Sequence, residues 1–257
     1  MVKKLFLQER LEQIIALIQE QGRISVSGLC ERFGVSAVTI RSDLKTLEKR
    51  GWLIRTHGGA MIKPSSGLEL AFDYRRRLHQ VEKERIGRTA AELVRDGDTI
   101  ALDASTTAWQ VAHHLKERRE LTVVTNGLLI ALEFLDTPSV TVVMPGGSLR
   151  TASASLVGDL GTSVLERYHV QKGFFGARGF TLEEGLTDVN QYEVELKRLM
   201  VERAKEIIAI VDTSKWNQVA FASFATIHQI DHVIADTAAP PDIVSALKKL
   251  DINVTLV

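Results

Sequence analysis

The chain has 257 residues, of which 45% are hydrophobic and 25% charged, and this composition excludes a disordered protein. No apolar run approaches the roughly 20 residues that a membrane-spanning helix needs, and charged residues break the short apolar stretch that a secretion signal would require. The single cysteine, Cys30, excludes an intrachain disulfide and argues against a thiolate zinc cluster. We therefore expect a cytoplasmic protein that does not enter a membrane and carries neither a metal nor a cofactor.

The net charge of zero conceals an uneven distribution. Residues 1–62 contain ten basic and six acidic side chains, so the rest of the chain carries the balancing acidic excess. A small basic head on an acidic body favours a polyanion as the partner of the head. An excess of four charges is also compatible with an ordinary solvated surface.

Two helices are predicted before residue 34. Apolar residues recur at helical spacing in both, the first should end at Gly22, and Ser25 should cap the second. The third helix should begin after Ser36, across a short break that contains Gly34. Two short helices joined by a tight glycine-containing turn are the helix-turn-helix motif. The buried faces of the first two helices are predicted to contain Leu11, Ile14, Ile15 and Ile18, and Val26, Leu29, Cys30 and Phe33.

The third predicted helix, which runs to about Arg50, has the composition of a recognition helix. Its buried stripe should contain Ile40, Leu44 and Leu47, and the opposite face carries small polar, aliphatic and basic side chains that suit the DNA major groove. Bases should be approached by Val38, Ser42 and Lys45, whereas Thr39 and Arg41 should hold phosphates. The full set of predicted DNA-binding residues is Ser36, Val38, Thr39, Arg41, Ser42, Lys45, Arg55, His57 and Gly58.

A β-hairpin is predicted after Gly51, where a short apolar strand is followed by basic residues and then by a Gly-Gly pair. Such a hairpin behind a helix-turn-helix is a wing, and Arg55 and His57 would lie over the DNA backbone or an adjacent minor groove. The alternative is a three-helix docking unit whose hairpin contacts nothing. The charge placed opposite the buried face favours DNA.

Several segments of this head resemble a known family of proteins. The segments V-T-I-R-S-D-L at 38–44, L-E at 47–48 and R-T-H-G-G-A at 55–60 closely resemble the winged helix of DeoR-family bacterial transcriptional regulators. That family often has a second basic residue where this chain has Ser42. The resemblance implies that residues 1–62 bind double-stranded DNA.

Residues 63–80 are predicted to be a linker because K-P-S-S-G at 63–67 is polar and rich in Pro, Gly and Ser. The run of three arginines at 75–77 could touch DNA flanks, lie on a solvated face or pair with another subunit. A helix at about 82–95 should open the second domain, 81–257.

The second domain alternates between apolar strands and helical segments, which is typical of a mainly parallel α/β sheet covered on both faces. The predicted strands are 99–102, 121–124, 140–144, 172–175, 207–211, 232–235 and 252–256. The predicted helices between them include 107–118, 127–136, 159–167, 190–205 and 241–249.

Small and polar residues follow five of these strands, and ligands of open α/β sheets bind at the carboxyl ends of the strands. Hydroxyl groups at the start of a helix, together with glycines and two cations, predict a pocket for a small anionic ligand, and a phosphorylated sugar fits best. For any single loop, helix capping and turn formation explain the same residues. The predicted effector-binding residues are Asp103, Ser105, Thr106, Thr107, Thr125, Asn126, Gly146, Gly147, Gly176, Arg178, Glu193 and Lys215.

This second domain looks like the sensor domain of DeoR-family regulators, which is similar to ribose-5-phosphate isomerase and to the CoA-transferase-type fold. The resemblance is carried by L-D-A-S-T-T at 102–107, V-T-N at 124–126, G-A at 176–177, G-L-T at 185–187 and D-T-S-K at 212–215. It implies that the loop 105–107 holds a phosphate and that Asp103, Asn126 and Lys215 hold sugar hydroxyls or the phosphate. Arg178 stands where the family often has Asp. If Arg178 faces the pocket, it would favour a more anionic effector.

The chain is therefore expected to be a regulator rather than an enzyme, since it contains none of the common nucleotide-binding, metalloprotease or hydrolase motifs. It would repress a sugar or carbohydrate catabolism operon as a dimer or tetramer, with its DNA affinity changed by a phosphorylated sugar. The alternative is an isomerase-like enzyme with an accessory DNA-binding head, in which Glu193 or Glu184 would act as the base.

Overall fold

A computed structural model describes residues 7–21, 23–49, 53–61 and 72–257, and the chain divides into two compact units, Met1–Leu68 and Glu69–Val257. The predicted linker segment 63–67, Gly22 and Gly51 lie outside the described residues. Part of the predicted linker 63–80 has to be corrected, because residues 72–77 form a helix and another begins at residue 80. The Pro/Gly/Ser composition that marks a linker ends at residue 67.

The first unit consists of the three predicted helices and a small antiparallel sheet in the order β1-β3-β2. The wing is the hairpin of the last two strands, and the first strand, which is too short to show periodicity, was not predicted. The elements are α1 Leu7–Gln21, β1 Arg23–Ser25, α2 Val26–Phe33, α3 Ala37–Lys49, β2 Ile54–Thr56 and β3 Gly59–Met61.

Local side-chain chemistry sets the ends of these helices. The Ser25 hydroxyl accepts a hydrogen bond from the Gly28 amide at 3.0 Å and caps α2. Gly34 ends the same helix with φ +62°, a left-handed conformation that glycine adopts without strain. The Ser36 hydroxyl accepts a hydrogen bond from the Thr39 amide at 3.2 Å at the start of α3. The predicted caps are confirmed.

The second unit is an α/β domain. Its strands are β4 Thr99–Leu102, β5 Leu121–Thr125, β6 Val140–Val143, β7 Ser148–Arg150, β8 Ser155–Val157, β9 Val170–Phe175, β10 Gly179–Thr181, β11 Gly185–Asp188, β12 Ala204–Val211, β13 Ala222–Ala225, β14 His232–Ala235 and β15 Asn253–Leu256. Its helices are α4 Phe72–Arg77, α5 Gln80–Glu92, α6 Thr106–His113, α7 Leu128–Leu132, α8 Asp159–Leu165, α9 Gln191–Arg203 and α10 Pro241–Lys249. All seven predicted strands are present and form one parallel sheet in the order β15-β14-β12-β9-β4-β5-β6.

Both faces of this sheet are covered, as predicted for a parallel sheet. Neighbouring residues of β9 point to opposite sides, since Phe174 belongs to one buried cluster with Ile86 and Val111, whereas Phe175 belongs to the other with Met200. The antiparallel sheet β10-β11-β13 and the hairpin β7-β8 are not hydrogen-bonded to the parallel sheet, but Phe180 and Leu186 of the small sheet belong to the same buried cluster as Phe175. No helix within the described ranges is long and apolar enough to cross a bilayer.

The strand order determines where a ligand can bind. The chain proceeds from β4 to β5 and β6 on one side and then returns to place β9 on the other side of β4. Loops that leave adjacent strands in opposite directions open a crevice at this switch point. The residues that follow β4 and β9 therefore meet there, although they are far apart in the sequence.

Candidate DNA-binding surface and ligand cleft

Helix α3 exposes the face that the sequence predicts for base contacts. Val38 is 74% exposed, and Ser42 and Lys45 are exposed along the same helix. Arg41 is also exposed, beside this row. The predicted stripe of Ile40, Leu44 and Leu47 is buried. This face is therefore available for a major groove, while the opposite one holds the helix in the unit.

A buried ion pair fixes α3 against α1. The Nε atom of Arg10 lies 2.5 Å from Oδ2 of Asp43, and a second nitrogen of the guanidinium lies 3.2 Å from Oδ1. Both residues are less than 10% exposed, and the hydrogen bond to Asp43 raises the pKa of Arg10. Two parallel hydrogen bonds constrain orientation as well as distance. Asp43 therefore positions the recognition helix and does not reach its exposed face.

The wing is tied to the helices by contacts that the sequence analysis missed. The guanidinium of Arg55 lies 2.7 Å from the Glu48 carboxylate on α3, and the Val26 amide donates to the Gly58 carbonyl at 2.8 Å. A β-carbon at Gly59 would collide with the carbonyl oxygen of Ile24 in β1. Arg55 thus anchors the wing to α3, and its contact with DNA stays a prediction, as does that of the exposed His57.

The hydroxyls of Ser36 and Thr39, both predicted to bind DNA, contact each other at 2.9 Å. Their main role in the described structure is to start α3.

The switch point of the sheet contains a narrow cleft with a volume of about 20 Å³, which we call the switch-point cleft. Four of the predicted effector-binding residues line it, namely Ser105, Gly176, Arg178 and Glu193. Arg178 thus faces the cleft. The complete lining is Arg75, Ala104, Ser105, Ser153, Gly176, Ala177, Arg178, Asp188, Glu193 and Lys197.

The floor of the cleft is a close contact between the loops after β4 and β9. A β-carbon at Gly176 would collide with the side chain of Ser105, so glycine is required there. Ser105 caps α6 by accepting a hydrogen bond from the Ala108 amide at 3.1 Å. The start of α6, with its positive dipole end, therefore lies beside the cleft. Thr106 and Thr107 are the first, buried residues of this helix.

Lys197 and two aspartates form a buried ion cluster beneath the cleft. The ammonium lies 2.7 Å from Asp103 and 2.6 Å from Asp188, and it donates to the Gly176 carbonyl at 2.9 Å. Burial lowers the pKa of Lys197, but the two carboxylates outweigh it and raise the pKa above its ordinary value. For Asp188 burial is likewise outweighed, by Lys197 and Arg178, so its pKa is lowered.

Asp103 is not among the residues that line the cleft, and its contact with the ligand stays a prediction. Asp103 is fully buried, and its carboxylate accepts hydrogen bonds from the amides of Ser105 at 3.2 Å and Gly176 at 3.0 Å besides pairing with Lys197. With these partners the carboxylate holds the two loops together from behind. It shapes the cleft without facing it.

Glu193 faces the cleft and is held by donors on three sides. Its carboxylate accepts hydrogen bonds from the Ser153 hydroxyl at 2.8 Å, from the Ser155 hydroxyl and from the Asn126 side-chain amide at 3.1 Å. Arg150 adds an ion pair at 3.7 Å. A carboxylate so occupied is poorly suited to act as a free base. Glu184, the other candidate base, accepts a hydrogen bond from Ser223 and is absent from the lining.

Besides Asp103, Thr106 and Thr107, five further predicted effector residues are absent from the lining of the switch-point cleft, which lies wholly within the range 72–257. Thr125 caps the turn by accepting from the Gly127 amide at 3.0 Å, and Asn126 is buried behind Glu193. Gly146 and Gly147 turn the chain into β7, where a β-carbon at Gly147 would meet the Val157 carbonyl. Glycine there serves a tight turn, and the approach of a ligand to it stays a prediction. The fifth is Lys215.

Lys215 belongs to a second charged cluster at the end of β12. Asp212 is fully buried and lies 3.3 Å from the ammonium of Lys83 and 3.9 Å from that of Lys215. Burial would raise the pKa of Asp212, but these cations lower it to about 2. Although 24% of its side chain is exposed, burial of the Lys215 ammonium, helped by repulsion from neighbouring cations, lowers its pKa to about 8.

Arg75, Ser153 and Lys197 line the cleft although the sequence did not predict them as site residues. No motif indicated them, because each approaches from an element whose position depends on tertiary packing. Within the described parts of the chain, no group of three or more His, Cys, Asp or Glu side chains could hold a metal ion.

Two protein families match the chain, one in each of its two units. Residues 10–65 match the profile of the DeoR-like helix-turn-helix domain, and residues 78–237 match that of the DeoR C terminal sensor domain. The two matches together cover most of the chain and follow the order seen in the structure.

Similar proteins align over nearly their whole length. The HTH-type transcriptional regulator GolR of Listeria innocua is 41% identical over 89% of this chain and 90% of that protein. The putative aga operon transcriptional repressor of Escherichia coli O157:H7 is 35% identical over 97% and 93%, and the glycerol-3-phosphate regulon repressor of Escherichia coli K12 is 31% identical over 96% and 98%. Among solved structures, ribose 5-phosphate isomerase A of Methanocaldococcus jannaschii aligns with a TM-score of 0.40 and 19% identity over 54% of this chain and 55% of that one.

Proposed function

Because the chain belongs to the DeoR family of transcriptional regulators, we propose that it represses a sugar or carbohydrate catabolism operon and that a phosphorylated sugar bound in the switch-point cleft changes its DNA affinity. Its relatives are named regulators and repressors, and the chain is a regulator rather than an enzyme. One of these relatives is named for glycerol 3-phosphate, a phosphate ester.

The observation that carries the effector part is the chemistry of the cleft. Arg75 and Arg178 line it, and Ser105 places the start of α6 beside it. Guanidinium groups and helix N-termini are the groups that proteins use most often to hold phosphate. Ser153 and Glu193, also on the lining, supply a hydroxyl and a carboxylate that suit sugar hydroxyls.

The mechanism is a linkage between two sites. A ligand that binds one arrangement of the protein better than another shifts the population, and DNA affinity changes by that differential affinity alone. A winged helix reads one half-site, so we propose that the protein acts as a dimer or tetramer on repeated half-sites. Sedimentation of the protein with and without operator DNA would measure this stoichiometry.

The test is binding of the full chain to labelled DNA from upstream of its own gene, at fixed salt, with and without a panel of sugar phosphates. We expect tight binding that one compound releases or strengthens. Tight binding that is indifferent to the whole panel would contradict the effector assignment. Absence of DNA binding would contradict the assignment of α3 as the recognition helix in an operator complex.

Replacing Arg41 by Gln should weaken binding about equally for all DNA sequences, since Arg41 is placed to contact a phosphate. The slope of log affinity against log salt concentration should become shallower by about 0.9 for one lost contact. Titrations at several salt concentrations measure it, with Lys205→Gln, an exposed cation of the second unit, as the control for net charge. An unchanged slope for Arg41→Gln would remove this residue from the phosphate contacts.

A further inference from the structure

Arg75 lines the switch-point cleft although it comes from a segment that neither domain profile covers. The helix-turn-helix match ends at residue 65 and the sensor match begins at residue 78. Arg75 lies on α4, the first described helix after the boundary at Leu68. Its neighbours Arg76 and Arg77 are not part of the lining.

A buried lysine holds α4 in place. Lys83 is 3% exposed, and its ammonium donates to the Leu78 carbonyl and to the Arg75 carbonyl at 3.4 Å. The same ammonium lies 3.3 Å from Asp212, which follows β12 at the carboxyl edge of the sheet. Carbonyl groups at the end of a helix attract a cation. The backbone that carries Arg75 is thus attached to the sheet, and these buried contacts hold Arg75 beside the cleft.

Three cations are close enough to affect one another at this side of the cleft. Arg75 and Arg178 line it, and both repel the ammonium of Lys215. Burial and this repulsion, together with that from Lys83, give Lys215 its lowered pKa, whereas Asp212 acts in the opposite direction. Arg178 lies 3.9 Å from Asp188, whose other oxygen is taken by Lys197. An anion bound between Arg75 and Arg178 would relieve the repulsion.

We propose that Arg75 is an anion-binding residue of the switch-point cleft and that it holds the phosphate of the effector together with Arg178 and the start of α6. The inference rests on the proposed function and adds a specific residue to it. A phosphate so placed bridges α4 and the ends of β4 and β9. The ligand therefore contacts the chain within ten residues of the boundary between the two units.

Calorimetric titration of the full chain with inorganic phosphate tests this assignment at constant ionic strength. Arg75→Gln should weaken phosphate binding about tenfold or more, the expected effect of losing a charge-assisted hydrogen bond. Arg77→Gln is the matched control, because it removes the same charge from an exposed position of the same helix and should bind phosphate as the wild type does. Arg75→Lys, which keeps the charge and loses the planar fork, should lie between the two.

Cooperative thermal melting of each variant verifies folding, and operator affinity without phosphate is measured in parallel. Phosphate binding by Arg75→Gln and Arg75→Lys at the wild-type level, or an equal loss in Arg77→Gln, would overturn the inference and leave the proposed function intact. A wild-type protein that binds the operator and no phosphate would instead contradict the effector assignment itself, and this inference with it.

Discussion

Replacing Asp43 by Ala is expected to abolish operator binding while leaving the second unit folded. The substitution leaves the guanidinium of Arg10 buried without its bidentate partner, at a cost of about 3 kcal/mol in the free energy of unfolding, the lower end for a broken buried pair. We use the lower end of the energy range for broken buried ion pairs because Arg10 is still 8% exposed to solvent. A small head has about 3–5 kcal/mol of stability, so this loss removes most of it.

Calorimetry of the full chain separates the two units, since the transition of the head should move to lower temperature and that of the second unit should stay. Operator affinity is measured by anisotropy at a temperature below both transitions of the wild type. The control is the double variant Arg10→Met/Asp43→Leu, which replaces the pair by apolar side chains and should recover stability and DNA binding. An Asp43→Ala protein with normal affinity and unchanged melting would show that the ion pair does not hold α3.

Replacing Lys197 by Met is expected to destabilise the second unit by about 3–5 kcal/mol, because two buried carboxylates then lose the cation they share. The head should be unaffected in its own thermal transition. Denaturant unfolding at pH 7 measures the loss, and Lys205→Met, which removes an exposed lysine two residues after α9, is the control. A loss below about 1 kcal/mol, the value of an exposed pair, would contradict the buried cluster.

The pH dependence distinguishes this cluster from a packing defect. Because the pKa of Asp188 is lowered in the folded state, its ionised carboxylate stabilises the wild-type protein at pH values above 3.8, the ordinary pKa of Asp. This contribution is lost as the pH falls through the folded-state pKa. Because the pKa of Lys197 is raised in the folded state, its charged ammonium stabilises the wild-type protein at pH values below 10.5, the ordinary pKa of Lys. This contribution is lost as the pH rises through the folded-state pKa. The difference in the free energy of unfolding between the wild type and Lys197→Met should therefore become smaller towards pH 3. A constant gap would indicate lost packing instead.

Local signals in the sequence predicted most of the architecture. Apolar runs marked all seven strands of the parallel sheet, and Ser25 and Ser36 marked the starts of α2 and α3. The spacing of Ile40 and Leu44 was enough to predict which face of α3 carries Val38 into solvent. Each of these predictions depends on residues within one or two turns of one another, so no knowledge of the fold was needed.

The membership of the cleft depended on tertiary structure. Residues at several strand ends were all predicted to bind the ligand. The strand order brings Ser105 and Gly176 into the cleft, whereas Gly147 forms a turn outside it. Lys197 pairs with Asp103, which is distant in sequence, and with Asp188 at the end of β11, rather than with its helical neighbour Glu193.

Arg75 reaches the lining from a segment that looked like a linker, and the Lys83–Asp212 pair helps to fasten this segment to the sheet. The sequence by itself determined the elements and their exposed faces, because hydrophobic periodicity and capping are local. Only the fold decided which charges meet, because ion pairs form between groups that strand order and helix packing bring within a few ångströms.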